Sequence, residues 1–118
     1  MKNQFQTKTF PNHWSIVTGL YEESHGVIAN KFYDRTIGKK FSLNTKVWEN
    51  EPRFWGGEPI WTTNQKQGGK SGVQFWPGSE LLGQTPTFYS KYNESKSFKE
   101  RVDEFVDYLK LWFLFEQK

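Results

Sequence analysis

Thr7-Lys-Thr-Phe-Pro-Asn-His13, continued by Trp14-Ser-Ile-Val-Thr-Gly-Leu20, reads as a short helix entered through a threonine. Pro11 suits the opening position, because its missing amide hydrogen would have no partner there in any case. The helix is expected to run from Pro11 to about Thr18 and to stop at Gly19, since glycine takes a left-handed conformation without steric cost. Ile16, Val17 and Leu20 give it an apolar side, so it must dock on something. The order Thr9-Phe-Pro11 puts a hydroxyl just ahead of a helix amino terminus, where free amides and the positive end of the dipole attract anions such as phosphate. A threonine there serves equally as a plain cap.

Working outward, residues 21–57 read as irregular structure punctuated by Gly26, Gly38, Pro52, Gly56 and Gly57. Loops of that length in a compact domain are usually functional or misassigned. Pro59 opens a second helix through about Gln67, ended by Gly68-Gly69, and Ser71 to Trp76 alternates loosely as one short strand before the Pro77-Gly78 turn. A polar loop follows. Ser97-Phe-Lys-Glu100 matches a capping box, in which the hydroxyl and the carboxylate satisfy each other's free amides. Phe98, Val102, Phe105, Val106, Leu109 and Trp112 or Phe113 then recur at helical spacing, giving an amphipathic helix over 98–113. This inventory suits a free-standing domain poorly, because one strand cannot make a sheet. The elements want further partners.

The bulk numbers fit a single unit with an aromatic core. Among 118 residues there are 6 Trp, 5 Tyr and 11 Phe but one alanine, Ala29, and no cysteine. Disulfide frameworks and thiolate metal sites are therefore excluded. Mean hydropathy is −0.83. The net charge of +3 comes from Lys and Arg scattered among acids rather than gathered in a stripe, which argues against a specific nucleic-acid partner. No run approaches the ~18 apolar residues of a membrane span, and Met1 to Thr9 is unlike a signal peptide. If the protein is exported, its targeting signal lies elsewhere.

The run from Thr7 to His13, with Tyr21-Glu-Glu-Ser-His-Gly26 and Asn30, resembles the nucleophile segment of the nucleotide pyrophosphatase/phosphodiesterases of the alkaline phosphatase superfamily. Gly57-Glu-Pro-Ile-Trp61, Phe75-Trp-Pro-Gly-Ser79, Tyr92-Asn-Glu-Ser95 and Phe98-Lys-Glu-Arg101 resemble the same family in the same order. The resemblance spans about Thr7 to Trp112. It implies an α/β fold, a part of an alkaline-phosphatase-like α/β/α catalytic domain, in which the nucleophile segment is 7–30 and nucleotide-pocket loops occupy 31–97. It implies that Thr9 attacks phosphorus to give a phosphothreonine intermediate and that Asn30 donates its amide to the phosphoryl group. Phe10 and Tyr92 would hold the base between two rings, with Leu43 and Trp76 lining the pocket. Each of these rings is also what an aromatic core would bury. Glu80 stands where nucleotide-cleaving members of the family carry an aspartate.

The family uses two zinc ions, of which Thr9 would be one ligand, with the other Asp and His ligands supplied from outside this segment. No Phe-Asp-Gly run precedes Thr9 and no Ser-Asp-His-Gly run follows Arg101, so this chain by itself is not expected to bind zinc or to be active. His13 and His25 are read as braces rather than ligands. Asn93-Glu-Ser95 is an N-glycosylation sequon, which suits the extracellular or cell-surface setting that the family implies. The resemblance makes the expected partner a nucleotide or other phosphodiester small molecule, with the Phe-Trp-Pro-Gly-Ser stretch favouring nucleotide over lipid substrates. Two other readings stay open: a non-catalytic aromatic module binding nucleotides, single-stranded nucleic acid or glycans, and a product without a stable fold.

Overall fold

The computed structural model describes residues 2–45 and 51–116. The first helix, α1, spans Thr9–Thr18 and so begins two residues earlier than Pro11 suggests. The proline occupies the third helical position, where an amide hydrogen also lacks an intrahelical acceptor, so the ring is tolerated two residues deeper than expected. Gly19, at φ 70°, closes the helix and returns its amide to the Ser15 carbonyl at 2.9 Å.

The stretch expected to be irregular between 21 and 57 contains regular structure. A single helical turn, α2 (Glu22–His25), is followed by a hairpin of β1 (Lys31–Asp34) and β2 (Lys39–Ser42) and by a 3-10 turn at Pro52–Phe54. The hairpin is antiparallel and pairs Phe32 with Phe41. Those two rings stack at 4.9 Å, and Phe41 is fully buried. At the bend, the Asp34 carboxylate accepts from the amides of Thr36 and Ile37, both at 2.8 Å, and Gly38 supplies the left-handed corner. The strands are four residues each and carry lysines on the outer face, so their period is too short and too polar to stand out in the sequence.

Helix α3 spans Ile60–Lys66, starting after Pro59 as expected. Strand β3 is Gly72–Gln74, and its partner β4 (Phe88–Ser90) lies in the stretch expected to be a polar loop. The pair is parallel, Gly72 facing Phe88. Two separate two-stranded sheets thus replace the lone strand of the sequence reading. The capping box at the start of α4 (Phe98–Glu116) forms: Ser97 donates its amide to Glu100 Oε2 at 2.7 Å, and the Glu100 amide reaches Ser97 Oγ at 3.3 Å. The helix extends three residues past the expected end at 113.

Six of the eight core side chains among the described residues are aromatic: Phe10, Trp14, Phe41, Phe54, Trp55 and Trp61, joined by Val27 and Leu81. Trp14 is fully enclosed, edge-on to Trp55 at 4.8 Å and to Trp61 at 5.9 Å. Its indole nitrogen donates to the Gly56 carbonyl at 2.9 Å, which satisfies the one polar atom that burial would strand. His25, equally buried, bridges α1 to the following loop. Its Nδ1 accepts the Val27 amide at 3.1 Å, leaving Nε2–H to donate to Ser15 Oγ at 2.9 Å. This is the bracing role expected of His25, and burial holds its pKa below the ordinary value.

Helix α4 rests on the parallel pair through its polar side. Tyr108 stacks on Phe88 and its hydroxyl meets Ser90 Oγ, while Glu104 accepts from Gln74 Nε2 at 2.7 Å and from Lys96 Nζ at 2.6 Å. The lysine and serine partners pull the Glu104 carboxyl down to about 2. The apolar stripe that marks the helix in the sequence, Val102, Phe105, Val106 and Leu109, stays exposed.

Candidate active site

A cleft of about 470 Å³ opens beside the start of α1. Its wall includes Thr9, Phe10, Leu43, Trp76 and Tyr92, five positions singled out from the sequence and drawn from four separate segments. The volume falls within the usual range for small-molecule sites. It is lined largely by rings, as a base-stacking pocket would be.

Thr9 is the first residue of α1, not the residue ahead of it; Lys8 occupies the cap position and makes no side-chain cap bond. The Thr9 hydroxyl is therefore not consumed as a helix cap. It is exposed, and among the described residues no hydrogen bond engages it. The expectation of several free amides at this helix start needs correction. The Phe10 amide donates to Asn30 Oδ1 at 3.0 Å, Pro11 has none, and the Asn12 amide is spent on the Lys8 carbonyl. What remains at the helix start is the helix dipole, with the Asn30 side chain tied to the Phe10 amide.

Asn30 does not itself line the cleft. Its geometry is nonetheless decisive, because an amide hydrogen can be accepted only by the carbonyl oxygen of the side chain. The Phe10 bond therefore assigns Oδ1 and turns Nδ2 away from the helix amide. The Asn30 backbone carbonyl also accepts the Leu43 amide at 3.0 Å, tying the end of β2 to the helix start.

Phe10 is 5% exposed, edge-on to Phe41 at 5.9 Å and tilted on Trp55 at 5.8 Å. It is a core residue that also faces the cleft. Tyr92 is 58% exposed and stands at the rim. The two rings are anchored very differently, one by the core and one by loop contacts. Trp76 is held against α1: its indole donates to the His13 carbonyl at 3.2 Å, and its ring lies 4.8 Å from the His13 imidazole. His13 Nδ1 in turn meets the Thr9 carbonyl at 2.6 Å. A carbonyl only accepts, so that nitrogen carries the hydrogen, and His13 braces the helix as expected.

Sequence reasoning missed Phe75, Asn44 and Pro77 as lining residues. Phe75 and Pro77 flank Trp76 in the Phe-Trp-Pro-Gly-Ser run, which was the available signal; Asn44 carries none. Phe75 is unusual in its backbone, at φ 56°. A bulky residue in the left-handed region costs about 1–2 kcal/mol, so surrounding contacts must hold it there. Glu80 also lines the cleft. Its Oε1 accepts the Tyr92 amide at 2.9 Å, and its Oε2 is buried without a partner among the described residues.

A zinc centre requires several Asp, Glu, His or Cys side chains converging on one point. Among the described residues no three such groups do so. In the cleft only His13 and Glu80 are of ligand type, and both are already engaged in bracing contacts. The residues present do not fit a two-zinc centre by themselves.

The sequence profile of the family described as type I phosphodiesterase / nucleotide pyrophosphatase matches residues 1–116. The chain belongs to that family. It is 51% identical over 113 residues to human ectonucleotide pyrophosphatase/phosphodiesterase family member 1, and 47% identical to the bovine family member 3. It is 50% identical to the venom phosphodiesterase of Macrovipera lebetinus. Each alignment takes in 94% of this chain but only 12–13% of the relative, so the chain spans a small part of those proteins' length. Among solved structures, murine ectonucleotide pyrophosphatase/phosphodiesterase 5 superposes with a TM-score of 0.82 at 43% identity, covering 89% of this chain and 29% of that one. The same enzyme, as an inactive threonine-to-alanine variant in complex with AMP, superposes equally well. The α/β architecture is thus part of an alkaline-phosphatase-like catalytic domain, as the sequence resemblance implies.

Proposed function

We propose that this chain supplies the nucleophile and the nucleotide pocket for hydrolysis of phosphodiester and pyrophosphate bonds in nucleotides, releasing nucleoside monophosphates. The observation that carries the reading is the uncapped Thr9 hydroxyl standing at the mouth of a ring-lined cleft, one residue from the amide that orients Asn30. In this reading Thr9 Oγ1 bonds to phosphorus as the bond to the leaving oxygen breaks, and water then displaces the threonine oxygen. Asn30 Nδ2 donates to a non-bridging phosphoryl oxygen. Phe10 forms the fixed wall and Tyr92 the rim of the base site, with Leu43 and Trp76 closing its sides. The AMP complex of the murine neighbour, obtained with a threonine removed, supports both the ligand class and the residue type.

Zinc belongs to the proposal as the family's cofactor, with Thr9 as one ligand and the others supplied from outside this chain, so the chain alone is proposed to be inactive. The relatives are named as ectoenzymes and venom enzymes, and the same outside setting is proposed here. Asn93 is the proposed glycan site: it is exposed, and its Oδ1 accepts from the Ser95 amide and hydroxyl. No helix among the described residues is long and apolar enough to cross a membrane. A strand-binding aromatic module is less favoured, because Trp14, Phe41, Phe54, Trp55 and Trp61 are spent on the core and the remaining cleft rings surround a volume suited to one base. The test is direct: the purified chain should bind AMP saturably by tryptophan fluorescence yet leave a chromogenic nucleotide phosphodiester intact with zinc added. Turnover, or tight stoichiometric zinc, would overturn the claim of inactivity; absence of AMP binding would overturn the pocket.

A further inference from the structure

Tyr92 poses a physical problem for a stacking site. Its ring is mostly in solvent and its backbone belongs to no helix or strand, so a base that docks on it must first restrain it. Two contacts already do so. The Glu80 carboxylate holds its amide, and the Phe75 ring meets its ring at 5.6 Å and 71°, the edge-to-face geometry that aromatic pairs prefer.

Phe75 is in turn over-determined. Its backbone sits in the left-handed region, directly after β3 and before the Trp76-Pro77 step. The Arg101 guanidinium lies 5.1 Å from its ring centroid, and the Lys96 ammonium lies 5.9 Å away. Arg101 is itself pinned, since its Nε donates to the Lys96 carbonyl at 2.9 Å. Neither cation lines the cleft. The contacts therefore run from the first turns of α4 through one ring on a strained backbone to the exposed ring at the rim.

We infer that Arg101 and Phe75 are positioning residues for Tyr92, with Arg101 acting on base affinity from outside the cleft by holding the Phe75 ring against it. The inference rests on the base-site reading above and specifies which residues preorganise it. A cation over a ring in a half-exposed setting contributes an amount equivalent to roughly a two- to fivefold change in affinity.

The test compares AMP with ribose 5-phosphate, which shares the phosphate and sugar but lacks the base. The purified chain and its variants Arg101→Met and Phe75→Asn are titrated with each, in the native and the Tyr92→Ala backgrounds; asparagine tolerates the left-handed backbone, so the second variant removes the ring without the strain. Expected is a two- to fivefold loss of AMP affinity in Arg101→Met, unchanged ribose 5-phosphate affinity, partial retention in Arg101→Lys, and no further loss once Tyr92 is alanine. An equal Arg101→Met loss in the Tyr92→Ala background, or an equal loss for ribose 5-phosphate, overturns the positioning role while leaving the base site standing. An unsubstituted chain that does not prefer AMP overturns the base site itself, and the positioning role with it.

Discussion

Replacing Asn30 by aspartate separates the two jobs assigned to this side chain. The Phe10 amide needs only an oxygen acceptor, which aspartate keeps, so the 3.0 Å bond that anchors the helix start should survive. What disappears is the Nδ2 donor, and what arrives is a negative charge where a phosphoryl group is to sit. A hydrogen bond to a charged group contributes about 1.5–3 kcal/mol, which is roughly 10- to 150-fold in affinity before any charge repulsion is added. Isothermal titration should therefore show AMP binding weakened by at least about tenfold, with adenosine binding unchanged because it has no phosphate for the lost donor to meet. Thermal unfolding of Asn30→Asp should lie close to that of the parent chain. An equal fall in adenosine affinity, or an AMP affinity within twofold of the parent, would refute the assignment of Nδ2 to the phosphoryl group.

Further outcomes concern the fold that carries the cleft. Gly78, at φ 91°, lies so close to Trp14 that an added Cβ would stand 2.8 Å from Cε3 of that indole and 3.2 Å from Cζ3 of Trp55. Overpacking of about 1–3 kcal/mol together with a left-handed penalty of about 1–2 predicts that urea denaturation of Gly78→Ala is destabilised by roughly 2–5 kcal/mol. Ser97→Ala removes half of the capping box and should lower stability by about 1 kcal/mol on the same assay, with loss of helical signal by circular dichroism. Acidification should destabilise in two steps. Buried His25 has its pKa lowered, so the unfolded chain binds the proton first and stability falls as pH drops below 6.5, a step that His25→Gln removes. Glu51, which accepts from Lys39 and Arg53, and Glu104 are both held at about 2. Their stabilisation is complete above 4.5 and is lost below it as pH falls toward 2. Glu22, raised by burial, works against this second step, because its protonation favours the folded chain. Thermal midpoints from pH 8 to pH 3 check both steps.

Helices α1, α3 and α4 were legible because their boundaries are chemical. Gly19 closes α1 by its left-handed φ, and Ser97 with Glu100 closes the amides of α4. The aromatic core was legible from composition alone. Strand pairing was not: β3 is three residues long, and its partner Phe88–Ser90 is defined only by contacts across the intervening loop. The cleft residues came from the family resemblance rather than from local pattern, since nothing in the residues themselves says that Leu43 and Tyr92 face a common space. Phe75 escaped for a related reason. Its role depends on a positive φ and on a guanidinium from α4, neither of which leaves a mark at neighbouring positions.

The double attachment of Asn30 has a metric consequence. Its side chain accepts from the residue after Thr9, and its own carbonyl accepts from Leu43, so one residue ties the start of α1 to the end of β2. On the proposed function this tie fixes the gauge between phosphorus and base, and substrates should be sorted by the length of their sugar-phosphate link as strictly as by the identity of their ring.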